Sequence, residues 1–113
     1  MTEQQNAPVR QADPKDVEKN KVMAVLAYFI FFLPLLTDAK DSPFAKFHAN
    51  QGLLLLLFSV IGQIVGSVVP IIGWFLILPL VWIGVIVFLL MGIINASNGQ
   101  MKELPIIGQF HIL

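Results

Sequence analysis

Residues 42–57 read SPFAKFHANQGLLLLL. A proline-opened segment with a lysine, a histidine and two amides runs without a break into five leucines. Ser42 is a good N-cap and Pro43 suits the first helical position, so a helix starts at about Pro43. Its first turns, with Phe44 and Phe47 as anchors, belong in a headgroup zone. The same helix then continues as an apolar span over residues 53–69. The polar stretch is thus the interfacial amphipathic start of a membrane-crossing helix.

The charge pattern around this helix sets the class. Of the residues, 57% are hydrophobic and 12% charged, where soluble domains run at about a quarter charged. Asp, Glu, Lys and Arg are absent from Phe47 to Met101. As helix, that run far exceeds one crossing of a roughly 30 Å hydrocarbon core. The expected fold class is all-α, an integral membrane protein with three transmembrane helices. The first span is expected at residues 22–37 (VMAVLAYFIFFLPLLT), preceded by a solvated helix start at Asp13 and Pro14. Snorkelling by Lys19 and Lys21 makes up its short length. The third span, residues 74–94, follows the tight turn PIIG at 70–73, and NASNGQ at 95–100 ends it. PIIG recurs at 105–108 and is read as a coincidence of an Ile-rich composition. Residues 1–12 are expected as a disordered polar tail. Residues 13–113 then form one membrane domain, whose C-terminal tail, 95–113, lies on the surface. A cleaved signal peptide ending near TDA (37–39) is the competing reading of the first span, but its long leader carries four acids and departs from a compact basic n-region.

Rotating the second helix by 100° a residue gathers His48, Gly52, Ser59, Gly62, Gln63, Gly66 and Ser67 on one side, opposite a lipid-facing side of Leu, Ile and Val. Small residues allow close helix approach, and Gly62 and Gly66 form a small-xxx-small pair. Gly52, Ser59, Gly62, Gln63 and Gly66 are the candidate packing or interaction residues. The first use of this face is against the other spans of the same chain, the second against another subunit. Gln63 needs a partner inside the bilayer. Counting from the ends of their spans puts Tyr28 at the same depth, about 9 Å in, so a Tyr28–Gln63 hydrogen bond is expected. At the other surface Asp38, Asp41, Phe44, Phe47, His48, Gln51 and Asn95 are expected as an interfacial polar cluster. His48 is read there as a hydrogen-bonding fixture ahead of a pH sensor or metal ligand.

Several function classes fall away. There are no cysteines, which removes disulfides and thiolate chemistry. The net charge is zero, which argues against a nucleic-acid partner. No intramembrane carboxylate pair, phosphate-cradling loop or nucleophile motif occurs, so transport coupling and catalysis are not expected. No metal, cofactor or small-molecule substrate is expected.

The order of AVLAYFIFFLPLL, SPFAKFHANQGL, a hairpin of two spans and NGQMKELPIIG resembles a family of small bacterial membrane proteins of uncharacterised function. That family is distantly similar to the chloroplast inner-envelope import component of the Tic-twenty type. The resemblance covers residues 21–108, and Phe44, Phe47, His48 and Gln51 match its most specific element, Phe-x-x-Phe-His-x-x-Gln. It implies a membrane-embedded helical fold and, by distant analogy, a channel or scaffold subunit linked to protein translocation. The import component has four spans, whereas three are expected here. Lys and Arg number four before the first span and three in the loop and tail, which sets no orientation. The resemblance puts the 38–51 loop and the C-terminal tail in the cytoplasm. The expected protein is a multi-pass accessory or scaffold subunit of a bacterial plasma membrane. Its partners are the lipid bilayer and either another membrane protein or itself; the alternative is a self-assembling, holin-like pore.

Overall fold

The computed structural model describes residues 9–113. Residues 1–8 of the expected disordered tail lie outside that range. The rest of that tail is ordered: β1 (Val9–Gln11) pairs antiparallel with β2 (Gln100–Lys102), Arg10 opposite Met101. The all-α expectation is corrected by this one small ribbon. The turn into it is made by Gly99 at φ +72°, a left-handed residue just past a helix end. That glycine leaves the Gln100–Lys102 edge free to pair.

Between the strands lie three α-helices, α1 (Pro14–Leu26), α2 (Pro43–Val68) and α3 (Leu78–Ser97). The caps are those the sequence specifies. Asp13 accepts from the Lys15 N–H at 3.0 Å and Ser42 from the Ala45 N–H at 3.0 Å, each with a proline following in the first turn. A π-helical turn, Gly73–Ile77, leads into α3 without a break. Pro79 follows it. Having no N–H and crowding the preceding turn, a proline favours such a widened turn over a regular one. α3 runs through Asn95 to Ser97, so the tail starts at residue 98, later than the expected residue 95.

Among the described residues, two helices are long and apolar enough to cross a membrane, Pro43–Val68 and Gly73–Ser97. They contain the expected second and third spans, except that Val69 caps α2. The expected first span, 22–37, is not one helix. α1 stops at Leu26 and the chain turns through residues 27–32 into a 3-10 segment, Leu33–Leu36. Here the backbone closes on itself in tighter steps: Tyr28 N–H to Val25 O, Phe29 N–H to Leu26 O, Leu33 N–H to Ile30 O and Leu35 N–H to Phe32 O. Pro34 is a cause, since it cannot donate to Ile30 and disfavours helix at Leu33. Just before the bend the chain passes close to α2, where the Ala27 carbonyl lies at the place a β-carbon on Gly52 would take.

The two PIIG stretches fold alike. Ile72 N–H bonds to Pro70 O and Ile107 N–H to Pro105 O, each at 2.7 Å, with Ile71 at φ +66° and Ile106 at φ +69°. Each is a three-residue γ-turn centred on a β-branched residue in a conformation such residues rarely adopt. The likeness stops at the turn: Gly73 opens the π-helical turn before α3, whereas Gly108 lies in a 3-10 turn, Ile107–Gln109. Ile106 is 81% exposed, so little packing offsets its backbone strain. Ile106→Gly is expected to raise stability by about 1 kcal/mol, strain relieved less the glycine entropy. Thermal unfolding of the two proteins in the same lipid nanodiscs checks this; an unchanged or lower midpoint would contradict it.

Candidate functional site

The polar start of α2 carries fully buried polar side chains. His48 and Gln51 are fully buried, and Asn50 is 4% exposed. Each holds backbone far away in sequence. His48 Nε2 lies 2.8 Å from the carbonyl of Gln100; a carbonyl only accepts, so Nε2 carries the proton. In the neutral ring Nδ1 then accepts from the Tyr28 hydroxyl at 2.6 Å. The rings of Tyr28, Phe44 and Phe47 surround the imidazole, the two phenylalanines edge-on at 5.0 and 5.2 Å between centroids. Gln51 works as a two-pronged clamp: Oε1 accepts from the Leu104 N–H at 2.9 Å and Nε2 donates to Gly108 O at 3.1 Å. Asn50 clamps the next stretch, donating to Phe110 O at 2.8 Å and accepting from the N–H groups of Ile112 and Leu113 at 2.8 and 3.1 Å.

Three side chains within four residues of one helix thus bind the backbone of residues 100–113. Buried polar groups must be paired, and here the pairs fasten the tail over the end of α2. Leu104 is pressed into the core with Tyr28, Phe44, Leu55 and Ala96. Asn95 is drawn in as well, donating to Lys102 O at 3.4 Å. Beyond the clamp, Glu103 faces the exposed His111 at 3.6 Å.

A second node ties α1 to the same end. Asp16 accepts from the Ser42 hydroxyl and, at 2.7 Å, from the Asn20 amide through Oδ1, and from the Phe44 N–H at 3.2 Å through Oδ2. Its carboxylate therefore sits at the positive end of α2. Burial acts to raise the Asp16 carboxyl, but the bonds from Ser42, Asn20 and Phe44, with Lys19 nearby, outweigh it and hold the group below its ordinary value. A carboxyl whose folded value lies below its unfolded one, about 3.9, stabilises the fold above that pH. The stabilisation is lost as pH falls through the lower, folded value. Thermal midpoints measured from pH 6 down to pH 3 are expected to fall more steeply for the wild type than for Asp16→Asn, and parallel curves would rule this out.

Of the expected cluster, Phe44, Phe47, His48, Gln51 and Asn95 come together. Asp38 and Asp41 do not: both are exposed on a 3-10 turn, Asp38–Asp41, and make none of the bonds that hold the cluster. The expected Tyr28–Gln63 bond is replaced. Tyr28 turns to His48 because its segment bends back at Leu26, while Gln63 accepts from Trp82 Nε1 at 3.0 Å and donates to Ser67 at 3.3 Å. The small-residue face is consumed inside the chain. Gly52 meets Ala27, Gly62 meets Val81 and Gly66 meets Leu78, while the Ser59 hydroxyl returns to Leu56 O at 2.8 Å. Asn50, Asp16 and the backbone of the tail were missed as site elements. The HANQ run carries three polar side chains in four residues next to an apolar span, and that was the signal for Asn50. Among the described residues, no three His, Asp or Glu side chains converge as metal ligands.

Residues 19–111 match the magnetosome magnetite crystal formation protein family. The magnetosome protein MmsF of Paramagnetospirillum magneticum is 36% identical over 92 residues, 79% of this chain and 82% of that protein. The magnetosome protein MamF of the same organism is 32% identical over 94 residues, 81% of this chain and 82% of that protein. The UPF0132 membrane protein MJ1527 of Methanocaldococcus jannaschii is 34% identical over 88 residues, 74% of this chain; the match spans 61% of that protein's length. No solved structure matches. These matches support a family of small membrane proteins and give no support to the resemblance to the chloroplast import component.

Proposed function

Because this chain belongs to the magnetosome magnetite crystal formation protein family, with a relative named as a membrane protein, we propose that it is a membrane-embedded accessory or scaffold subunit without catalysis of its own. Its home in this reading is a bacterial plasma membrane, which it crosses more than once. The observation that carries the reading is an apolar groove of about 630 Å³ open on the side of the helical hairpin. Leu54, Phe58, Ile61 and Val65 of α2, Val81 of α3 and Phe110 of the tail line it. A groove of this shape and lining fits a helix of another membrane protein, packed by van der Waals contact as helices in lipid are. The site of association thus moves from the glycine face, which is occupied internally, to this outward groove. The buried polar side chains of the cap are spent on the chain's own backbone, which suits a role in holding rather than reacting.

The pore reading has less support. A pore needs a wettable stripe through a span, for which α2 offers only Ser59, Gln63 and Ser67, and all three side chains are hydrogen-bonded within the chain. A magnetosome role is said of the relatives MmsF and MamF by their names. For this chain it extends the same scaffold reading and is tested by where the protein sorts. The decisive experiment is the native mass of the assembly taken from its own membrane into nanodiscs. A stoichiometric complex with an unrelated membrane protein, lost in Ile61→Trp, is the expected result. A homo-oligomer alone, leaking dye from liposomes, would overturn the proposal in favour of the pore.

A further inference from the structure

The first apolar segment begins and ends at the same place. Asp16 precedes it and Ser42 and Phe44 follow it, yet the Asp16 carboxylate bonds to both. A segment that crossed the membrane would leave these groups a bilayer apart. Instead, residues 22–37 leave the polar end of α2, run alongside it and come back. How far they go is marked by their neighbours. The Ala27 carbonyl and Phe31 rest on Gly52, about 14 Å along α2 from Pro43 at 1.5 Å per residue. Phe29 and Phe31 reach the hollow lined by Leu56 and Ser59. α2 itself is about 39 Å long, so the deepest point of the segment is near its middle.

From this path we infer that residues 22–37 form a re-entrant wedge that enters and leaves one leaflet, and that the chain crosses the bilayer only twice. The wedge has the two faces such an element needs. One side is packed on α2, with Ala24, Ala27 and Tyr28 buried; the other presents Phe29, Ile30, Phe32 and Leu36, between 45% and 73% exposed. That outer face takes the acyl chains of one leaflet. Non-helical backbone is tolerated at membrane depth where it is covered by protein and bonded to itself, and the short-step hydrogen bonds of residues 28–37 meet that need.

The β1–β2 ribbon independently brings residues 9–11 to the side of residues 100–102. With β1, the start of α1, the 38–41 turn, the start of α2 and the tail on one surface, the other surface has, among the described residues, only the turn at residues 69–73. All seven Lys and Arg then lie on one side and none on the other. The charge balance that was four against three for a three-span chain becomes seven against zero, and excess Lys and Arg mark the cytoplasmic side. The cap is therefore cytoplasmic and the Pro70–Gly73 turn is outside.

This inference rests on the membrane reading and not on the scaffold role, and it is tested without any partner. The chain has no cysteine, so single cysteines can be placed directly. Gln11→Cys, Lys40→Cys, Gln109→Cys and Ile72→Cys are labelled in intact cells with a membrane-impermeant maleimide, then after permeabilisation. Only Ile72→Cys is expected to react in intact cells, and the other three to react once the membrane is opened. Labelling of Gln11→Cys together with Ile72→Cys would show a third crossing and overturn the re-entrant path. A spin label at Phe29→Cys supplies an independent reading, expected at the depth of one at Leu56→Cys. A label resting at the far headgroups would overturn the wedge even if the cysteine variants at the ends failed to insert.

Discussion

Gln51→Leu is expected to lower stability by about 2–6 kcal/mol and to release the tail from the end of α2. The leucine fills much of the space but leaves the Leu104 N–H and the Gly108 carbonyl without their partner. Each such buried group left unpaired costs about 1–3 kcal/mol. The loss spreads, because Leu104 is part of the core around Tyr28 and Phe44 and is held there by this amide. Amide hydrogen exchange at Leu104 should accelerate along with the fall in the thermal midpoint. A variant that loses less than about 1 kcal/mol and keeps that amide protected would show that the tail is held by its apolar contacts alone.

Gly52→Val is expected to be the other severe change, at about 3 kcal/mol or more, because the obstacle is backbone. A β-carbon at Gly52 would collide with the Ala27 carbonyl and crowd Phe31. Overpacking against movable side chains costs about 1–3 kcal/mol, and a carbonyl fixed in a tight turn has less freedom to yield. The displaced turn would carry Tyr28 away from His48, so the nitrogen shifts of the imidazole should change as Nδ1 loses its donor. Gly84→Ala is the internal comparison. Its nearest neighbour is the edge of the Phe58 ring at 3.6 Å, an ordinary contact, so it is expected to be neutral or to gain up to about 1 kcal/mol of helix propensity. Equal losses for the two substitutions would mean that the Gly52 seat is not special.

The long-range part of this fold was the part the sequence concealed. Ser42 and Pro43 announced the start of α2, and the charge-free run announced the two long helices, because caps and hydropathy are local properties. The bend after Leu26 was half-announced. Pro34 stands in plain view within the apolar segment, but an apolar run of that length reads as a crossing. That assumption then misplaced Tyr28: a depth count along a through-going helix paired it with Gln63, whereas the bent chain brings it to His48. The partners of Asn50 and Gln51 lie 53 to 63 residues away and are backbone atoms. Such groups carry no side-chain identity for a sequence reading to find.

The clamp also orders events in the making of the protein. Residues 100–113 are synthesised after everything they cap, so His48, Asn50 and Gln51 reach the membrane before the backbone that will satisfy them exists. A ribosome adding about 5–20 residues a second leaves these side chains waiting for several seconds at the water–lipid boundary. On the re-entrant reading the head of α2 lies in the headgroup zone, where water can satisfy these groups during that wait. The placing of three polar residues at the head of α2, and not further down it, is therefore as much a requirement of biogenesis as of the finished fold.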